Sequence, residues 1–299
     1  MNFPNEITIK EVGPRDGLQN EIQMVPTDAK IKWINLLSET GITYIEVSSF
    51  VRPDWIPQLK DAREVAKRIK RKAGVIYAGL VPNLIGLERA LEVDIDEICL
   101  FISASETHNR KNINRSIAHT YPILEAVANE AKANKKLVRG YVSTVFGCPY
   151  EGEIELEKVV TICDKLFSMG VDELSIGDTI GISDPVQVEK VVSKLLHYFP
   201  ADKMTMHFHN TRGAALANVL MAMNLGIKNF DSAVGGIGGC PYAKGASGNL
   251  ATEDLLYMIH RMGIKTGIDE QKVMKAALFI ENHVHNFASH QMRIVKGKH

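Results

Sequence analysis

The chain has 299 residues, 45% hydrophobic and 23% charged, with 35 Lys plus Arg balanced by 35 Asp plus Glu. Such a length and apolar content support a large buried core and exclude a disordered chain or a disulfide-stapled miniprotein. Zero formal charge argues against a nucleic-acid partner, and no run of about 18 uncharged apolar residues is present to span a membrane.

In chain order, short β-branched runs alternate with segments of helical period. A strand at 7–12 leads to a helix at 27–39, with Thr27 as its expected N-cap and Gly41 just past its end. Strand 43–49 and helix 58–71 follow, then strand 75–80 and helix 84–91, then strand 97–103 and a longer helix at 115–135. Strand 137–145 precedes helix 156–169, which Gly170 stops. Strand 173–177 precedes helix 185–197, where Asp184 is placed to cap and Pro185 to open the first turn. Strand 203–208 with helix 214–225, and strand 229–234 with helix 252–261, complete the series.

Eight strands alternating with eight helices imply parallel βαβ units. Eight such units in about 260 residues predict an α/β fold, a (β/α)8 TIM barrel, over about residues 5–265. A doubly wound open sheet is the alternative topology. No low-complexity linker divides the chain, so residues 1–299 read as one catalytic domain. An extra C-terminal helical segment over about 266–299, with a helix expected near 269–290, covers the barrel or forms an oligomer contact. Cys99, Cys148, Cys163 and Cys240 form no C-x-x-C pair, and residues 1–6 carry neither a signal nor a transit pattern. Reduced thiols in a cytoplasmic protein are expected.

A barrel enzyme carries its chemistry at the C-terminal ends of the strands. Arg15 and Asp16 follow the first strand. Glu46 and Ser49 end the second, and Asp178 and Thr179 end the sixth. His207 and His209 end the seventh, and the glycine-rich loop after the eighth runs on to Asn249. The unusual polar residues thus gather at one end. His207-x-His209 is the sharpest signal, because residues i and i+2 of a strand face the same side and both imidazoles can reach one point. Asp16 offers a carboxylate and Asn249 a carbonyl oxygen. Two nitrogens plus oxygens suit Mg2+ or Mn2+, with Zn2+ or Co2+ harder to exclude. A second pair, His283-x-His285, lies in a helical pattern that would set its rings about 200° apart, so it is not expected to bind metal. Residues 235–239 hold four glycines but neither a Walker ending nor a dinucleotide fingerprint. They predict a mobile loop whose end, Cys240, swings over a substrate, and Cys148 ranks behind it as a reactive thiol.

Taken together the motifs V-G-P-R-D-G-L-Q-N-E (12–21), E-V-S-S-F-V (46–51), G-C-P-Y-E-G (147–152), H-F-H-N-T-R-G (207–213) and G-G-C-P-Y-A-K-G-A-S-G-N-L-A-T-E-D (238–254) resemble those of the 3-hydroxy-3-methylglutaryl-CoA lyase family. That family belongs to the metal-dependent Claisen/retro-Claisen barrel superfamily. The Cys-Pro-Tyr loop separates it from the synthases of the superfamily. The resemblance implies Asp16, His207, His209 and Asn249 as ligands of a divalent cation, and Arg15 as the cationic stabiliser beside it. It implies acid/base work for Cys240, as base or as acid, and essential acidic positions at Glu46 and Asp178. Asp178 or a metal-bound His207 is the alternative proton carrier. Arg15, Gln19, Ser49, Tyr141 and Thr179 match substrate-lining positions, and Asn20, Lys111 and Lys244 are the candidates for the CoA end. The implied partner is a small acyl-CoA, with no nucleic acid and no membrane, and the implied assembly is a homodimer. One departure is the run 233–237, Ala-Val-Gly-Gly-Ile, where Ser-Val-Ala-Gly-Leu is usual. No cysteine follows Cys240, so the interchain disulfide of some animal members is not expected. The competing readings are a lyase for a related 3-hydroxyacyl-CoA and a non-catalytic barrel that binds metal or acyl-CoA.

Overall fold

Eight parallel strands close on one another in chain order, each neighbour hydrogen-bonded to the next and the last to the first. The structure, a computed structural model, describes residues 3–238, 248–285 and 287–297. The elements are β1 (Thr8–Glu11), α1 (Thr27–Ser38), β2 (Tyr44–Ser49), α2 (Ala62–Arg68), β3 (Ile76–Leu80), α3 (Leu84–Leu91), β4 (Glu97–Ser103) and α4 (Glu106–Ile113). They continue with α5 (Ile117–Ala133), β5 (Leu137–Ser143), α6 (Leu156–Ser168), β6 (Glu173–Asp178), α7 (Pro185–Leu196), β7 (Met204–Phe208), α8 (Ala215–Asn224), β8 (Asn229–Ser232), α9 (Thr252–Arg261), α10 (Glu270–Glu281) and α11 (His290–Lys296). This is the expected (β/α)8 TIM barrel with helices added at its C-terminal side.

Alternation along each strand divides the core in two. Outward residues such as Ile45, Ile98, Leu100, Leu174, Met206 and Phe208 are buried in one apolar cluster with Leu37, Val127, Val191 and Val219 of the helices. Inside the barrel a smaller apolar group stands apart, Tyr44, Ala78, Cys99 and Tyr141, with Ile76, Leu80 and Phe101 packed against it. Charged pairs share that interior: Lys10 pairs with Glu173 at 2.6 Å, and Arg139 with Asp231 at 2.6 Å. A barrel interior is usually filled by layers of branched apolar side chains. Here polar layers lead up to the mouth.

Several local expectations are corrected. Thr27 is not the N-cap of α1: Pro26 takes that place, and the Thr27 hydroxyl donates to Asp61 at 2.7 Å. The region 58–71 yields a 3-10 turn at Pro57–Leu59 and a shorter α2. Helix α4 was not expected. It is a polar helix that buries His108 and Asn109, so it lacks the apolar period that marks its neighbours. The helix expected at 269–290 stops at Glu281 as α10, capped by Asp269, and a further helix, α11, capped by Ser289, begins only at His290. His283 and His285 therefore lie beyond the end of α10, and the helical reason for setting them aside does not apply. Among the described residues, only Asp16, His207 and His209 form a group able to hold a metal. Asp184 caps α7 as expected, accepting from Val186 N and Gln187 N, with Pro185 opening the helix. Among the described residues no helix is long and apolar enough to cross a membrane.

Candidate active site

Beyond β1 the chain makes one π-helical turn, Gly13–Gly17, with Leu18 N donating to Gly13 O at 3.0 Å. Such turns widen the backbone and are frequent at functional sites. This one sets Arg15 and Asp16 over the barrel mouth. Two glycines let the loops after β1 and β8 meet there. A Cβ on Gly17 would lie 2.5 Å from Ile237 Cγ1, and one on Gly238, at φ 108°, would lie 2.7 Å from Asn249 Nδ2. The close approach brings Asn249 onto Asp16.

Thr205, His207 and His209 follow one another at intervals of two along the inner face of β7 and its end. Thr205 donates to Glu173, His207 meets Asp231, and His209 faces Asp16. Asp16 Oδ2 lies 3.9 Å from His207 Nε2 and 4.0 Å from His209 Nε2. These gaps are too long for hydrogen bonds. They are short enough for one ion to be shared, since one ligand atom from each side chain lies within 4.8 Å of the others. His207 Nδ1 is 3.1 Å from Asp231 Oδ2, an arrangement that places its proton on Nδ1 and leaves the Nε2 lone pair toward Asp16. A carboxylate oxygen and two imidazole nitrogens, converging and unbonded to one another, are the donor set of a divalent cation.

Asn249 meets Asp16 through its amide nitrogen. Its Nδ2 donates to Asp16 Oδ2 at 2.8 Å and to Ile237 O at 3.1 Å. The amide nitrogen, not the carbonyl oxygen, faces the carboxylate, so the side-chain amide would have to turn over to serve as a ligand.

The charges at the mouth set one another's protonation. Burial alone would raise the Asp16 carboxyl, but Arg15, His207 and His209 hold it below the usual carboxylate range. Burial, with His207 alongside, lowers His209 to about 4. For His207 burial works the same way, yet the Asp231 carboxylate outweighs it and raises the ring's affinity for a proton. Burial raises Glu46 in spite of Arg15 beside it.

Arg15 is locked in place. Its Nη1 donates to Asp16 Oδ1 at 2.6 Å, its Nε lies 2.8 Å from Glu46 Oε2, and its guanidinium lies 4.9 Å from the Tyr141 ring centre. Gln19 Nε2 also donates to Asp16 Oδ1, at 3.0 Å. One carboxylate thus gives an oxygen to Arg15 and Gln19 and the other to the histidine side. Tyr141 OH donates to Glu46 Oε2 at 2.8 Å and accepts from Arg139 Nη1 at 3.1 Å.

A cavity of about 620 Å³ opens from this point. Arg15, Asp16, Gln19, Tyr141, Thr179, His207 and His209 line its floor. Asn20, Trp55, Asn83, His108, Asn112 and Arg115 also line it. Glu46, Ser49, Asp178 and Asn249 are not among its lining residues. Ser49 is buried, and its hydroxyl has no hydrogen-bond partner. Asp178 turns into its own loop, accepting from Ile182 N, Ser183 N and Ser183 Oγ. Lys111 lies over the Tyr150 ring, not in the cavity wall. Cys240 and Lys244 lie outside the described residues, so the swinging glycine loop does too at its far end. Asp231, Arg139 and Ser175, which touch or support His207, drew no notice in the sequence. Their signal was there: single polar residues inside strands that should be apolar on both faces.

A family model described as HMGL-like matches residues 6–280. A hydroxymethylglutaryl-CoA lyase of Bacillus subtilis is 56% identical over 281 residues, 94% of each chain. A crystal structure of the HMG-CoA lyase of Bacillus subtilis superposes with a TM-score of 0.97 at 53% identity, covering 99% of this chain and 100% of that one. An HMG-CoA lyase from Acinetobacter baumannii, solved in complex with coenzyme A and 3-methylmalate, gives a TM-score of 0.93 at 41% identity over 98% of this chain and 96% of that one.

Proposed function

The chain belongs to the HMGL-like family, and we propose that it cleaves (S)-3-hydroxy-3-methylglutaryl-CoA to acetoacetate and acetyl-CoA with a divalent cation as cofactor. The observation that carries this reading is the convergence of Asp16, His207 and His209 beside Arg15 on the floor of a cavity.

The reaction breaks the C2–C3 bond. The tertiary hydroxyl loses its proton and becomes the ketone of acetoacetate. The bonding electron pair passes to C2 as a thioester enolate, and C2 takes up a proton to give acetyl-CoA. Asp16, His207 and His209 would hold the ion, with Asn249 joining if its amide turned, and Mg2+ or Mn2+ would suit the donor set. When bound, such an ion supplies Lewis acidity to an alcohol oxygen and a fixed point for the substrate. Arg15 keeps its charge at any working pH and is held by Asp16 and Glu46, so it neutralises the growing enolate oxygen without reorganising. Glu46 and Tyr141 orient that guanidinium. Thr179 and Gln19 line the acyl end. Asp178, bonded to residues 182 and 183, positions its loop. With Nδ1 on Asp231, His207 would serve as a ligand through Nε2, and the proton exchange is the part that the resemblance implies for Cys240. The CoA arm would run out past Asn20, Trp55, Asn112 and Arg115, which line the cavity. A cytoplasmic homodimer with reduced Cys99, Cys148 and Cys163 completes this reading.

The test is an acetyl-CoA release assay coupled to a reporter enzyme. Release that a chelator abolishes and Mg2+ or Mn2+ restores is expected. No release, or release indifferent to chelator, overturns the proposal. Faster turnover of another 3-hydroxyacyl-CoA in the same panel assigns a related substrate instead.

A further inference from the structure

Beneath the candidate metal site lies a carboxylate that touches neither the cavity nor the candidate ion. Asp231 on β8 is 2% exposed and is held on three sides. Arg139 Nη2 donates to its Oδ1 at 2.6 Å. Ser175 Oγ donates to its Oδ2 at 2.8 Å, and His207 Nδ1 stands 3.1 Å from that same Oδ2. The three partners come from three strands, β5, β6 and β7, so the carboxylate cannot rotate without breaking all of them. A neutral imidazole carries its proton on one nitrogen only. A carboxylate can only accept, so the proton must sit on Nδ1 and the lone pair on Nε2.

We propose that Asp231 is the positioning residue for His207: clamped by Arg139 and Ser175, it imposes the Nδ1–H tautomer and so makes Nε2 a metal ligand. This rests on the proposed metal site but is separable from it, because the tautomer is a property of the metal-free chain.

Asp231→Asn sharpens the point. Arg139 is a pure donor and must keep an oxygen at its end of the amide. The amide nitrogen then faces His207 Nδ1 and donates to it, which drives the ring to the Nε2–H tautomer. An imidazole of that form has no lone pair for the ion. Loss of such a supporting carboxylate typically costs about 10–100-fold in metal affinity.

The experiment is a pair of measurements on the full chain. The first is nitrogen-15 NMR of the imidazoles in metal-free protein, at a pH high enough that the His207 ring is neutral, with His207 assigned through a His207→Gln spectrum. The second is Mn2+ titration by calorimetry. Expected is an Nδ1–H His207 in the wild type, and an Nε2–H His207 with Mn2+ binding weakened about 10–100-fold in Asp231→Asn. Ser175→Ala, which leaves Asp231 on Arg139 and His207, should keep the Nδ1–H form and stay within about threefold in Mn2+ affinity. An Nε2–H His207 in the wild type overturns the proposal. So does an Asp231→Asn protein that binds Mn2+ as the wild type does. If Asp231→Asn fails to fold, the wild-type tautomer alone decides. If the wild type binds no Mn2+ while His207 is Nδ1–H, the metal reading fails and the tautomer assignment stands.

Discussion

The barrel interior holds two layers of buried charge that behave in opposite ways. In the lower layer each charged group faces a partner. Lys10 meets both oxygens of Glu173, Thr205 donates to the same carboxylate, Tyr44 donates to Glu97 at 2.6 Å, and Arg139 meets Asp231. At the mouth the same residue types are left short. Glu46 Oε1, Ser49 Oγ and His209 Nδ1 are buried without a partner, and Asp16 stands about 4 Å from both imidazoles. Buried polar atoms without partners destabilise a fold. A layer that closes on itself is built for rigidity, and a layer left open directly above it is built to receive something else. His207 joins the two, with one nitrogen in each.

The comparison predicts that changes below act on stability and changes above act on rate. The largest effect is expected from Arg139→Met, which strips the buried Asp231 carboxylate of its guanidinium partner. It should lower unfolding free energy by about 3–5 kcal/mol in denaturant titrations, and adding Asp231→Leu should recover most of that loss. A similar magnitude appears in the other currency for Arg15→Gln. It should fold and keep its metal, and lose two to three powers of ten in kcat, about 3–4 kcal/mol of barrier. Stability lost without rate, or near wild-type turnover, would break the division. Cys240→Ala should likewise slow turnover with metal content intact, and Cys148→Ala should not.

A smaller, pH-dependent effect comes from the carboxylates under the β8 loop. Burial raises Glu253 to about 8 and Glu11 to about 7, from an ordinary value of 4.5. Between about pH 4.5 and 8 the folded chain holds protons that the unfolded chain has released, so stability falls as pH rises through that window. Glu253→Gln mimics the protonated form. It should match the wild type near pH 5 and exceed it by a few kcal/mol near pH 9, read as unfolding free energy at each pH. A gap that does not widen with pH removes Glu253 as the cause. The smallest effect belongs to Ser49→Ala, expected within about 0.5 kcal/mol of wild type because its hydroxyl bonds to nothing.

How far the sequence carried the reading differs between these layers too. The barrel was legible because apolar periods of 2 and 3.6 alternate cleanly, and because glycines such as Gly170 mark the turns. The mouth was legible because its residues follow strand ends, where Asp16 and the His207/His209 pair stand out. The lower layer was not, since Arg139 and Asp231 sit inside otherwise apolar strands and their meaning depends on which strands face across the axis. Helix α4 escaped for a related reason: it buries His108 and Asn109 where a periodic reading looks for leucine. Asn249 was placed correctly beside Asp16, but sequence cannot say which end of an amide is turned inward.

The account stands on Asp16, His207 and His209 gripping one ion. Anomalous diffraction from a crystal soaked in Mn2+ tests this directly. One strong peak within bonding distance of Asp16 Oδ2 and of both Nε2 atoms is predicted. A peak elsewhere, or three side chains unchanged around no peak at saturating Mn2+, would contradict it.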